Sequence, residues 1–408
     1  MIQTGLIPNA HNDLVTDASY DFYGLRLATC SLDQRIKIWQ LDETNGSWAV
    51  EDDWKAHDAA VSKISWAHPE FGTIIASASF DRTVKVWEQA GLPASQSQSQ
   101  QPAVNGTTGT ANANASTSRW IERAILPEAR GTVRGVEFAP HHFGLKLASI
   151  SSDNHLRIYE CLEQPALTTW QLAEEVDVQS LASSPAAAAA AALQSGTPTQ
   201  TSTAAPADAP LLAQALQQSM APPRPGLGTR EADGGWCLAW CRDRYWGELV
   251  AAGAGTSGQV KIIQLAPARR PTTLLTLEHG FGASAPGEDA SAAVTSVAWA
   301  PSCGRSYHLV ATAARDGHVR IWRLTPAAED RDEREEEGEW AASIVADFDQ
   351  HHSAVGRVEW NITGTVLASA GNDGRVRLWK ATAGNVWRPA GSVGVEQAGG
   401  DGDGDVEM

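Results

Sequence analysis

Cysteine is scarce in this chain of 408 residues: five, an odd and dispersed set that fits reduced thiols better than a disulfide framework. The one close pair, "CLAWC", sets Cys237 and Cys241 four residues apart. On one strand that is about 13 Å at ~3.3 Å per residue, too far to bridge, which argues against a redox or zinc pair. No apolar run approaches the ~20 residues that cross a bilayer. The opening "MIQTGLIPNAHND" has no basic segment and no long apolar core, so the expected compartment is the cytosol or nucleus. Without secretion, the formal acceptor sites at Asn105, Asn114 and Asn361 carry little meaning. Positive charge is also short, with 31 Lys and Arg against 48 Asp and Glu, and a net charge of −17 argues against a nucleic-acid or anionic-membrane partner.

Tryptophan, by contrast, is abundant, at 16 residues, and its placement is periodic. "LATCSLDQRIKIWQ" from Leu27, "IIASASFDRTVKVWE" from Ile74, "LASISSDNHLRIYE" from Leu147, "VATAARDGHVRIWR" from Val310 and "LASAGNDGRVRLWK" from Leu367 each place an aromatic residue six positions after an Asp. The pairs are Asp33 and Trp39, Asp81 and Trp87, Asp153 and Tyr159, Asp316 and Trp322, and Asp373 and Trp379. Before each stands an alternating segment closed by an aromatic, such as "VSKISW", "VRGVEF", "VTSVAW" or "VGRVEW", which reads as β. A fixed interval means a tight turn plus a strand, since a change of one residue would turn every side chain to the wrong face; "DG" at Asp316 and Asp373 marks hairpins. A sixth, degenerate unit between Trp236 and Ile263 keeps the strand pattern without the Asp or the closing Trp.

The expected organisation is one six-bladed domain over residues 9–388, with disordered inserts at 88–118 and 180–230, a Gly-rich loop at 280–291 and an acidic flexible tail over 389–408. "LLAQALQQSM" inside the second insert reads as a fluctuating helix in a linker, and the acidic run Glu329 to Glu339, like the tail, as solvated chain, with electrostatic docking as the alternative.

Three units carry a further pattern: His11, Thr29, Asp33 and Trp39; His57, Ser77, Asp81 and Trp87; and His352, Ser369, Asp373 and Trp379. A buried His, hydroxyl and carboxylate must bond one another, because each unpaired group costs ~1 to 3 kcal/mol. A hydrolase would need the nucleophile once per domain. Here the set recurs with Trp as a fourth member, so it is expected to be a structural clamp, with no catalytic residue, metal or cofactor. The pairs His141-His142 and His351-His352 belong to loops flanking first strands and are not expected to bind metal.

The repeats resemble the WD40 family, with WQ, WE, YE, WR and WK in place of the Trp-Asp dipeptide. The first two units are similar to those of the Sec-thirteen-like nucleoporins. "VEFAPHHFGLKLASISSDNHLRIYECLE", "TTWQLAEEV", "WCLAW", "WAPSCGRSYHLVATAARDGHVRIW" and "WNITGTVLASAGNDGRVRLWKAT" resemble their Seh-one type, over roughly His11 to Trp387 apart from the inserts. The resemblance implies an all-β fold, an open six-bladed WD40-type β-propeller. It also implies a non-enzymatic scaffold role in the Y-shaped subcomplex of the nuclear pore, alongside its other nucleoporins. A helical-solenoid nucleoporin of the eighty-five type would complete the ring with a blade of its own. It implies as well a second home, a coatomer-like vacuolar or lysosomal complex acting on TOR signalling. No direct nucleic-acid contact and no membrane insertion are expected. Independently, six sectors of about 51° cover only about 309°, which would leave two flanks bare. The partner surface is sought near 9–40 and 350–382. The rival readings are a closed ring acting as a peptide-reading adaptor, with or without a seventh blade hidden in 180–230, and the coat-vesicle paralogue.

Overall fold

The alternating segments pair into six four-stranded antiparallel sheets, each made of four strands consecutive in the chain. A computed structural model describes residues 7–90, 119–181, 233–266, 269–279, 293–325, 340–382, 384 and 386–394. The first strands are Val15–Tyr20, Val61–Trp66, Val133–Phe138, Gly235–Trp240, Val294–Trp299 and Val355–Trp360. Together they line one central channel of about 790 Å³, so the sheets stand as blades around an axis with their first strands innermost. Among the described residues the helical segments are two short 3-10 turns, Pro69–Phe71 and His141–Phe143.

The constant interval from Asp to aromatic has a local cause. The residue after each Asp is left-handed: Gln34, Arg82, Asn154, Gly317 and Gly374 have φ of 72°, 70°, 65°, 87° and 69°. The Asp side chain holds that turn by accepting the N–H two residues on, from Arg35, Thr83, His155, His318 and Arg375 at 2.9–3.1 Å. Gly and Asn reach this conformation readily, and at Gln34 and Arg82 the carboxylate bond compensates for the cost.

Apolar packing lies between blades. Five clusters join blade one to two, two to three, three to four, four to five and five to six. Blade four packs directly on blade three through Trp240, Val250 and Ile263 against Ile150, Leu156 and Ile158. Residues 182–230, where a seventh blade could have been hidden, lie outside the described residues. Blade four opens with Gly235 where most blades have Val, because a Cβ there would lie 2.0 Å from the Val294 carbonyl oxygen.

Two boundaries differ from the sequence reading. The fourth strand of blade six is Trp387–Gly394, so the propeller continues past 388; its edge is solvent-facing, and its Gly and Pro content hid it. The third strand of blade two, Val84–Gln89, runs past the expected start of the first insert at 88. The inserts proper, the helix-like "LLAQALQQSM", the acidic run and residues 395–408 lie outside the described residues.

Candidate interaction interface

The predicted clamps fall at the turn ends of the blades. In blade one His11 Nδ1 lies 3.0 Å from Asp33, His11 Nε2 2.8 Å from Thr29 Oγ1, and the Trp39 indole donates to the same oxygen at 2.9 Å. In blade two the corresponding distances are 2.8 Å to Asp81, 2.7 Å to Ser77 and 2.9 Å from Trp87. A carboxylate only accepts, so the neutral imidazole carries its proton on Nδ1, and Nε2 accepts from the hydroxyl. Each hydroxyl is thus fully engaged, and Thr29, Ser77 and Ser369 are at most 5% exposed. That burial suits a clamp and leaves a substrate no approach.

Blade six requires a correction. His351, not His352, reaches Asp373 (3.1 Å) and Ser369 (2.7 Å), with Trp379 donating to Ser369 at 2.8 Å. His352 is exposed with φ of 49°, a turn residue beside the clamp. The spacing carried the signal: His11 precedes Thr29 by 18 residues and Asp33 by 22, and only His351 repeats both intervals.

Blade five holds a clamp that the sequence reading missed. His279 bonds Thr312, Trp322 donates to Thr312 at 2.8 Å, and Arg320 donates to His279 Nδ1 at 2.5 Å. Because Arg only donates, this imidazole carries its proton on Nε2, the reverse of blades one and two. Burial, followed by the neighbouring Arg320 charge, pushes its pKa down to about 3. The 13-residue stretch 280–292 separates His279 from its strand, which stretched the interval beyond recognition. In blade three Arg157 holds the Asp instead, donating to Asp153 at 2.7 Å and to Ser151, the hydroxyl two residues before it, at 2.8 Å. The five Cys are unpaired, and burial pushes the Cys237 and Cys241 thiols up to about 12.

The surface that stands out is the junction between blades six and one. Every other blade buries two branched residues of its third strand under the next blade. Ile36 and Ile38, Val84 and Val86, Leu156 and Ile158, Val260 and Ile262, and Val319 and Ile321 are all at most 2% exposed. The matching pair in blade six is Val376, 38% exposed, and the half-buried Leu378. On the opposite wall, Val61, Val133, Val294 and Val355 open their blades at no more than 2% exposure, whereas Val15 is 49% exposed. Leu14 and Tyr20, exposed before and at the end of the same strand, add to this bare apolar surface.

Among the described residues, the hydrogen-bonded bridge across the gap is one ion pair. The Arg357 guanidinium reaches Asp17, whose buried carboxylate also accepts the Ile64 N–H at 3.1 Å and lies 3.3 Å from Lys63 Nζ. A long side chain touches at the axis where the other junctions have packed cores, so the ring is open by one sector. Fold and site together define a WD40-type propeller with two bare walls flanking a vacant sector.

The comparisons agree with this class. A family model described as "WD domain, G-beta repeat" matches residues 4–40, 50–88, 284–323 and 342–380, passing over the two blades with altered or absent clamps. The chain is 31% identical to Nucleoporin SEH1 of Saccharomyces cerevisiae over 95% of its own length and 99% of the relative. It is 30% identical to Nucleoporin seh1 of Schizosaccharomyces pombe (97% and 98% covered) and 33% identical to Nucleoporin SEH1 of Homo sapiens (93% and 85%). The chain belongs to the Seh1-type WD40 nucleoporins, scaffold proteins of the nuclear pore.

Proposed function

We propose that this chain is a non-enzymatic scaffold subunit of the Y-shaped, outer-ring subcomplex of the nuclear pore, and that its vacant sector receives a β-blade from a helical-solenoid nucleoporin of the eighty-five type. In that role it supports pore assembly and, through it, nucleocytoplasmic and mRNA transport. The observation that carries this reading is the paired exposure of Val15 and Val376, at positions buried in all the other blades compared above. Bare sheet flanks invite added β-structure. Covering ~1,000 Å² of apolar wall is worth roughly 25 kcal/mol before entropy and desolvation are subtracted. The vacuolar or lysosomal assembly acting on TOR signalling would use the same two walls, so one wall substitution is expected to remove the chain from both.

The test is co-expression with the solenoid nucleoporin, whole and lacking its N-terminal strands. The whole partner is expected to co-purify at equal stoichiometry and the truncated one to be lost. Equal recovery of both overturns the blade-filling role.

A further inference from the structure

The inner strands show how the vacant sector selects its occupant. Three bonds recur between the first strand of one blade and that of the next. The hydroxyl at the second position donates to the carbonyl of the next blade's opening residue: Thr16 to Val61 and Ser62 to Val133, both at 2.6 Å, and Thr295 to Val355. An acceptor side chain at the third or fifth position takes the N–H one position further along the next strand. Asp17 accepts from Ile64, Ser296 from Val358, Ser65 from Phe138 and Glu137 from Trp240, at 3.1–3.2 Å. Finally, an indole at the sixth position donates back to the fifth carbonyl of the preceding blade: Trp66 to Ser19 at 3.0 Å, Trp240 to Glu137 at 3.3 Å and Trp360 to Ala298 at 3.1 Å.

At the open junction each bond has one half in place. Blade one presents the Val15 carbonyl, the counterpart of Val61, Val133 and Val355, but blade six has Gly356 at the second position and so no hydroxyl to send there. Blade six presents Glu359, the counterpart of Ser65 and Glu137, with its side chain 66% exposed. Its third position, Arg357, is a donor that reaches both Asp17 and, at 3.2 Å, one carboxylate oxygen of Glu359, so Glu359 is the acceptor side chain of that strand and offers its other oxygen.

Resting on the reading of the gap as a blade socket, we infer that the entering innermost strand carries Ser or Thr at its second residue and Trp at its sixth. The hydroxyl donates to the Val15 carbonyl, the sixth backbone N–H to the Glu359 carboxylate, and the indole to the Glu359 carbonyl. These bonds fix register, because a slip of one residue turns the hydroxyl and the indole away from both receivers together. The same pattern occurs in the chain's own "VSKISW" and "VTSVAW", so a second copy exchanging a blade is the competitor that the test must separate.

The experiment uses the complex of the full chain with the solenoid nucleoporin. Amide hydrogen exchange over residues 15–20 reports entry, light scattering reports a second copy, and affinity is compared for Glu359→Leu and Glu359→Gln. Glu359 is exposed, so both variants are expected to melt with the parent chain. Leu removes the acceptor and strands a buried N–H, which is expected to weaken binding about tenfold or more, while Gln keeps a carbonyl oxygen and stays within about threefold. Changing the entering strand's second residue to Val, or its sixth to Phe, is expected to act like Glu359→Leu. Protection of 15–20 with Glu359→Leu binding at parental strength overturns this register and leaves the socket standing. No protection of 15–20 in a stable complex overturns the socket and the register with it, and 2:2 assemblies that form without the nucleoporin overturn its role as occupant.

Discussion

A chain carrying Val15→Lys together with Val376→Lys is expected to fold with a melting temperature within about 3 °C of the parent and to bind the proposed solenoid nucleoporin at least ~100-fold more weakly. The two halves of this expectation have one cause. In the isolated chain both side chains stand on solvent-facing wall, where a Lys keeps its charge in water, and surface changes of that kind stay within ~0.5 kcal/mol. Once a sheet fills the sector, the same positions become what Val61 and Val84 are in blade two, at 0% and 1% exposure. An ammonium left unpaired there costs several kcal/mol, and two of them exceed the ~2.7 kcal/mol of a hundredfold loss. Size-exclusion co-elution and differential scanning fluorimetry on the same preparations check both halves. Undiminished co-elution would mean that the partner grips some other surface.

Removing a clamp histidine should have the opposite signature, a loss of stability that no partner is needed to reveal. His57→Ala is expected to cost about 3 kcal/mol, because it empties a buried site, leaves the buried Ser77 hydroxyl without the ring nitrogen that accepts its proton, and takes from Asp81 one of its donors while Thr83 remains. His351→Ala should behave alike, and His352→Ala should be near neutral, since that ring is exposed outside the clamp. Urea midpoints of the three variants rank them. Acid should act on the same groups in two stages. Burial lowers the His11, His279 and His351 pKa values, so these rings stay neutral in the folded chain while the unfolded chain takes up protons below about 6.5, and stability is lost as pH falls from there. At Asp81 and Asp153 burial pushes the carboxyl up, but hydrogen bonds, from His57 and Thr83 and from Arg157 and Ser151, outweigh it and hold both well below the usual range. Their contribution is full above about pH 4 and is lost progressively as pH falls from there towards the depressed folded values. Urea midpoints measured at pH 8, 5.5 and 3.5 should therefore fall in two steps, both towards acid.

Features set by short-range geometry were legible in the sequence. An Asp that holds a left-handed turn and a Trp on the strand it launches must keep their interval, so five blades declared themselves through Asp33, Asp81, Asp153, Asp316 and Asp373. The fourth blade was visible through its strands alone; it lacks the clamp, and Lys261 ties it to blade three by donating to the Gln179 and Leu181 carbonyls at 2.9 and 2.8 Å. What depends on long loops was lost: His279 sits beyond a variable stretch, and the choice between His351 and His352 needed the 22-residue interval of blade one. Fourth strands were also faint. Ser47–Lys55 and Trp387–Gly394 lie at the rim with much of both faces in water, so they carry little hydrophobic alternation. The vacant sector could be counted from six units, but its walls could not be named. Val15 and Val376 look like any strand valine until their burial is compared with that of their counterparts.

The openness of the ring is tested most directly by an experimental density map of the isolated chain. A vacant wedge is expected between the first strands of blades six and one, with Val15 and Val376 facing solvent and Arg357 on Asp17 as the bridge at the axis. A map in which Val376 and Leu378 pack beneath Val15, as Val319 and Ile321 pack beneath Val355, would contradict it.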